Sequence, residues 1–266
     1  MNMKIGFIGC GNMATAIING MLESGKFAAE SIYISDVRRE ACSGFERQGV
    51  RVAKNNSELV STVDCIVLAI KPVYADAVVE QISDELKNKF VISIIGSWSS
   101  EMIREKLPES ARFVRVMPNT PLAVGEGMSL ISTNYTCSQD ELDYTQEIFG
   151  SAGRTAMVED HAFTAASGIS GCGPAFVYQF IEALADGGVR YGVPRATAYQ
   201  LACQTLIGAA KMVIETGEHP GKLKDAVCSP GGITIEGVYA LERDGFRAAV
   251  IDAVGATVEK TNEMAK

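Results

Sequence analysis

A chain of 266 residues can bury a large core, and it reaches the length at which one domain commonly gives way to two. Its composition, 47% hydrophobic and 21% charged without an apolar run of about eighteen residues, is that of a globular protein in water and excludes a membrane-spanning helix. The formal net charge of -8 excludes nucleic acid as a partner, because phosphate contacts need a clustered excess of Lys and Arg.

The opening MNMKIGFIG lacks the basic flank, longer apolar stretch and cleavage site of a secretory signal. A first strand is therefore expected almost at once, in a cytoplasmic protein. The strand KIGFI runs into Gly9-Cys10-Gly11-Asn12-Met13-Ala14, a G-x-G-x-x-A turn that opens a helical run through Leu22. Gly9 permits the tight turn, Gly11 lets the backbone approach a pyrophosphate, and Ala14 allows close helix packing. The helix start adds amide donors and a positive dipole.

After the second strand, SIYISD, stands Ser35-Asp36-Val37-Arg38-Arg39, where two cofactor signals compete. Asp36 suits the adenosine ribose of NAD, whereas Ser35 with Arg38 and Arg39 suits the 2′-phosphate of NADP. NADPH is the preferred reading, with NADH as the second donor; the bland alternative makes both arginines a solvated first helical turn.

The runs VRVA, CIVLAI, FVISII, RFVRVM, GMSLIS and RTAMV continue the alternation of strand and helix to about residue 158. Cys65 to Ile70 and Phe90 to Ile95 are apolar on both alternate faces, as parallel strands covered by helices on each side should be. The expectation is an α/β protein with an N-terminal Rossmann-type doubly wound sheet over residues 1–158, binding ligands at the loops after the strands' C-terminal ends. Ala69-Ile70-Lys71-Pro72 and Met117-Pro118-Asn119-Thr120-Pro121 fall on that edge. Either could also be a plain strand-ending turn.

From about Asp160 the pattern turns to long helices, Ala175 to Val189, Ala196 to Glu215 and Phe246 to Met264, so residues 159–266 are read as an all-helical domain. These helices carry apolar residues on more than one face, which predicts packing against a second subunit. Two glycine-rich breaks interrupt them, Gly168-Ile169-Ser170-Gly171-Cys172-Gly173-Pro174 and Cys228-Ser229-Pro230-Gly231-Gly232-Ile233-Thr234. In the second, the backbone amides of Gly231, Gly232 and Ile233 at a helix start are expected to hold a substrate carboxylate. Seven widely spaced cysteines without C-x-x-C suit a reducing compartment, and His161 and His219 alone offer no basis for a metal site.

The blocks IGFIGCGNMA, LAIKP, VMPNTP, GISGCGPAFVYQFIEALADGGV and GEHPGKLKDAVCSPGGITIEGVYALERDGFRAA together resemble the pyrroline-5-carboxylate reductases over nearly the whole chain. The resemblance implies reduction of the cyclic imine 1-pyrroline-5-carboxylate to L-proline with NADPH or NADH. It also implies a Rossmann domain followed by a helical domain that interleaves with a partner, as a homodimer whose dimers assemble further into decamers. By position, Gly9, Gly11, Asn12 and Met13, with Cys10 between them, match the phosphate loop. Asn56 matches an adenosine contact, Ala69, Lys71 and Pro72 match cofactor-lining residues, and Met117, Pro118 and Asn119 border the nicotinamide. Ser229, Gly231, Gly232, Ile233 and Thr234 match the substrate loop, the Thr234 hydroxyl being placed to bond the ring nitrogen. Cys172 and Ile233 depart from the family pattern, which bears on substrate fit.

Two rivals share parts of this pattern. A β-hydroxyacid dehydrogenase would show G-x-x-G-x-G-x-x-x-K, but Val177 occupies the lysine position and leaves no cation to polarise a carbonyl. A non-catalytic dinucleotide sensor would share the Rossmann turn, but would have no use for the substrate loop that ends in Thr234.

Overall fold

The computed structural model describes residues 3–264. The chain divides into two compact units, one running to Gly171 and resuming at Thr257, the other spanning Cys172–Ala256. In the first unit, strands β1 (Ile5–Ile8), β2 (Ile32–Ser35), β3 (Arg51–Val52), β4 (Cys65–Leu68), β5 (Phe90–Ser93), β6 (Arg112–Met117), β7 (Gly127–Ser132) and β8 (Gly153–Val158) form one sheet of order β3-β2-β1-β4-β5-β6-β7-β8. Helices α1 (Asn12–Glu23), α2 (Ser43–Glu46), α3 (Asn56–Thr62), α4 (Pro72–Gln81), α5 (Ser100–Lys106), α6 (Gln139–Gly150) and α7 (Asp160–Ser167) accompany it. All eight strand runs read from the sequence are present.

The central strands are buried along their whole length, which is why CIVL and FVIS read as continuous apolar runs. One core lies on the face of Phe7, Ile17, Met21 and Phe149, the other on the face of Leu59, Val79, Trp98 and Phe113. Local chemistry sets the helix starts. Asn55 caps α3 through Glu58, Ser99 caps α5 through Met102, and Ser138 with Glu141 makes a reciprocal capping box on α6.

The βαβ pattern is interrupted between β6 and β7 and resumes with β7-α6-β8. Strand β7 pairs with β6 antiparallel, whereas β7 and β8 are parallel. Only a short 3₁₀ turn, Thr120–Val124, separates β6 from β7, and a parallel return needs a dozen or more residues. Gly125 closes that turn at φ 74, in the left-handed region.

A π-helical turn, Gly168–Cys172, follows α7, and the remaining helices are α8 (Gly173–Arg190), α9 (Arg195–Thr216), α10 (Pro220–Ala226), α11 (Ile233–Arg243) and α12 (Phe246–Met264). The boundary between the two compact units falls after α7, at Gly171. The reason is burial: Phe163 of α7 is fully buried within the first unit, and Asp160 bonds side chains of α5 and β7. In the second unit, α8 and α9 expose Tyr178, Leu184, Tyr199, Leu201, Ile207 and Met212. That is more apolar surface than helices facing only water retain. Among the described residues no helix is long and apolar enough to cross a membrane.

Candidate functional site

Strand β1 delivers Gly9 to the edge of the sheet at φ +98, where a Cβ would meet the Ala69 carbonyl oxygen at 2.5 Å. Only glycine fits both demands. The Gly9 N–H donates to the Ser35 carbonyl at 2.8 Å and the Cys10 N–H to Asp36 Oδ2 at 2.7 Å, so the loop is tied across to β2. Gly11 then caps α1 with an extended backbone and no side-chain hydrogen bond. The amides of Asn12 and Met13, in the first turn of α1, are left for a ligand, and a Cβ at Gly11 would meet nothing within 4 Å. An anion approaching this loop has donors, a dipole and room.

A cleft of about 630 Å³ opens beside the loop, lined among others by Gly9, Gly11, Ser35, Asp36, Arg38 and Asn56. Ala69 and Lys71 also reach it. Asp36 is committed to the protein: its second oxygen accepts the Arg38 N–H at 2.8 Å, so both oxygens hold the turn. The Ser35 hydroxyl donates to Asn56 Oδ1 at 2.7 Å. The Arg38 side chain is 66% exposed, with its Nε 3.8 Å from Asp36. Arg39 turns away to Glu46 at 3.5 Å and is not among the residues lining the cleft, nor is the exposed Pro72.

Four apolar residues of this cleft carried no sequence signal: Val37, Tyr74, Ala77 and Val78. Val37 is fully exposed, a state for an apolar side chain that suits an adenine face. The i, i+3, i+4 spacing of Tyr74, Ala77 and Val78 on α4 could have found one helix face, but nothing in the sequence says which face meets β4's end.

Pro118 and Asn119 are buried, and the Asn119 amide is occupied. Its Nδ2 donates to the Ser170 carbonyl at 2.9 Å, and its Oδ1 accepts the Met128 N–H at 2.9 Å. Asn119 therefore clamps β7 and the π-helical turn to the end of β6. Met117 lies against the same turn, 3.5 Å from where a Cβ on Gly171 would stand.

In the second unit, Ser229-Pro230-Gly231-Gly232 forms a tight turn, with Gly231 at φ +67 and the Gly232 N–H donating to the Ser229 carbonyl at 3.0 Å. That bond corrects the expectation for Gly232, whose amide closes the turn instead of facing a ligand. The open donors are those of Ile233 and Thr234 at the start of α11, where Gly232 is the cap and makes no side-chain bond. Ile233 is 93% exposed, and Ser229 and Thr234 are exposed with it.

Cys10, within this loop, and Cys42 are both buried; burial pushes the Cys10 thiol up and the Cys42 thiol to about 12. Both are neutral packing groups near pH 7. His219 accepts the Gly221 N–H at 3.0 Å and caps α10, and exposed His161 sits 3.2 Å from Glu159.

A family model described as pyrroline-5-carboxylate reductase dimerisation matches residues 160–264, and one described as NADP oxidoreductase, coenzyme F420-dependent, matches residues 4–96. The pyrroline-5-carboxylate reductase of Escherichia coli (strain K12) is 40% identical over 268 residues, covering 100% of both chains. The chain belongs to the pyrroline-5-carboxylate reductase family. It is an oxidoreductase with a dimerisation region. Among solved structures, a reductase of this family from Plasmodium falciparum with NADP bound is 35% identical, with TM-score 0.89 over 100% of this chain and 99% of that one. The one from Coxiella burnetii is 30% identical, with TM-score 0.94 over 100% of each. The reductase fold thus extends through both units of this chain.

Proposed function

We propose that the chain reduces 1-pyrroline-5-carboxylate to L-proline with NADPH as the preferred donor and NADH as the second. The observation that carries the reading is the joint presence of the phosphate loop with its cleft and the Ser229–Thr234 turn opening α11 in a chain of this family. The cleft suits a dinucleotide on its own chemistry: free amides at the start of α1, no Cβ at Gly11, and an exposed arginine at the adenosine end. When bound, the dinucleotide supplies the hydride.

An imine is readily protonated near neutral pH and then accepts hydride without strong acid catalysis, so the protein's task is chiefly orientation. The amides of Ile233 and Thr234 hold the substrate carboxylate at the helix start. The Thr234 hydroxyl directs the ring nitrogen, a task that needs no shifted pKa. Met117, Pro118 and Asn119 border the nicotinamide. Arg38, with Ser35 and Asn56 beside it, reads the 2′-phosphate, because Asp36 has both oxygens engaged by backbone donors. Protomers pair as homodimers, and the dimers assemble further into decamers. Seven free thiols suit a reducing compartment, the cytoplasm.

The test follows nicotinamide absorbance as 1-pyrroline-5-carboxylate is added to the protein with NADPH and then with NADH. Rapid oxidation is expected with both and faster with NADPH; binding of dinucleotide without oxidation would point to the sensor. Thr234→Ala should lower kcat on the order of a hundredfold while leaving dinucleotide affinity in place. Unchanged turnover removes Thr234 from its role. Arg38→Ala should raise the KM for NADPH about tenfold and leave that for NADH nearly unmoved, since a charge-assisted contact exists only with the phosphate. Equal effects on the two donors would assign Arg38 to the shared part of the dinucleotide.

A further inference from the structure

Helix α7 is anchored at its start, its middle and its end. At the start, Asp160 Oδ1 accepts both the Ser100 hydroxyl at 2.7 Å and the Ser132 hydroxyl at 2.8 Å. The two serines are fully buried and 3.3 Å apart, one opening α5 and the other ending β7. In the middle, fully buried Phe163 lies under the Arg115 guanidinium, 4.1 Å from the ring centroid, with Arg115 itself 9% exposed on β6. Burial alone would raise the Asp160 carboxyl; the hydrogen bonds from Ser100 and Ser132, the charge of Arg115 and a bond from Asn134 outweigh it and hold the group ionised. At the end, the helix loosens into the π-helical turn that meets Asn119 through the Ser170 carbonyl and Met117 at Gly171.

A π-helical turn is rare and is found frequently at functional sites. Here it sets where the Ser170 carbonyl and Gly171 stand against the Met117–Asn119 loop. A helix of eight residues pinned at both ends transmits a shift of its start to its finish. We infer that Asp160 is a positioning residue for hydride transfer: held by Ser100 and Ser132, it fixes α7 so that Ser170 and Gly171 meet Asn119 and Met117 in register. The inference rests on the reading that Met117, Pro118 and Asn119 border the nicotinamide.

Asp160→Ala, Asp160→Asn and Asn119→Ala test it. In Asp160→Ala, kcat should fall about tenfold or more, as for a reacting group displaced by a fraction of an ångström, while dinucleotide affinity stays within about twofold. Asp160→Asn should recover most of the loss, because its amide oxygen still accepts from both serines. Without dinucleotide, hydrogen exchange over residues 163–171 should speed up in Asp160→Ala and stay unchanged over residues 35–39. If Asp160→Ala does not fold, Ser100→Ala combined with Ser132→Ala, which keeps the carboxylate, should show the same split. Unchanged kcat in folded Asp160→Ala, or a loss shared equally by dinucleotide affinity and not relieved by Asp160→Asn, overturns the inference. Asn119→Ala separates the two levels. If it lowers kcat while Asp160→Ala is silent, the positioning role fails and the nicotinamide reading stands; if both are silent, the nicotinamide reading fails and the inference with it.

Discussion

Gly9→Ala is expected to bind dinucleotide at least about tenfold more weakly and to lose about 2–4 kcal/mol of stability, the sum of a strained backbone and an overpacked contact. Both causes are local: φ is +98, and the new Cβ would stand 2.5 Å from the Ala69 carbonyl oxygen. The carbonyl cannot yield cheaply, because Ala69 is itself held by its N–H to the Ile8 carbonyl at 2.9 Å. Gly11→Ala is the informative partner. Its φ is -83 and its Cβ would have no neighbour within 4 Å, so folding should be untouched or slightly improved. Dinucleotide affinity should nevertheless fall, because the methyl group would stand where the pyrophosphate approaches. Titration of dinucleotide and chemical denaturation of the two variants, side by side, distinguish a glycine required by the fold from one required by the ligand. If Gly11→Ala binds as tightly as the parent, the phosphate does not approach that backbone.

Glu141→Ala is expected to cost about 2–3 kcal/mol, below the range for a fully buried pair because Arg112 is 39% exposed. The carboxylate does two jobs. It accepts from Arg112 Nε at 2.9 Å and from the second guanidinium nitrogen at 2.8 Å, and it accepts the Ser138 N–H at 2.9 Å to complete the capping box of α6. Removing it unties α6 from β6 and leaves a partly buried arginine without its carboxylate partner. Denaturation followed through Trp98, the chain's single tryptophan and 2% exposed in the same unit, reads the loss directly. The acid limb gives a second check. Burial works to raise the Glu141 carboxyl, but the Arg112 and Ser138 bonds prevail and hold it below the ordinary value of 4.5. Because its folded pKa is depressed, the group contributes stability that is complete above the unfolded value and is lost as pH falls through the folded one. Glu141→Gln should therefore flatten the dependence of stability on pH below 4.5, and an unchanged slope would show that other carboxylates carry it.

Much of this molecule was legible in one dimension. The eight strands follow from β-branched runs between turn residues, and the tight turn from β1 into α1 follows from two glycines and an alanine at fixed spacing after a strand. Both are local: a strand needs apolar residues in succession, and a turn needs glycine where φ is positive. The long helices α8, α9 and α12 were equally plain, and so was their apolar excess. The reversal of β7 was not, because a short link between two strand-like runs does not declare that the chain turns back until the sheet is assembled. The apolar lining of the cleft was also hidden, since an exposed Val37 and one face of α4 take their meaning from what lies opposite.

The sequence by itself determined the family and the places of two glycine-rich turns, one between β1 and α1 and one before α11. Only the tertiary structure decided which of the polar groups are spent on the protein. Asp36, offered by the sequence to a ribose, holds its own turn, Asn119, read as bordering the nicotinamide, clamps two backbones, and the Gly232 amide closes its own loop. Asp160, which no motif marked, gathers two buried serines from elements 28 and 60 residues away. The reason is directional: a side chain's identity states what bonds it can make, but a hydrogen bond needs a partner near 2.9 Å at the right angle, and those partners are assembled only when distant segments pack.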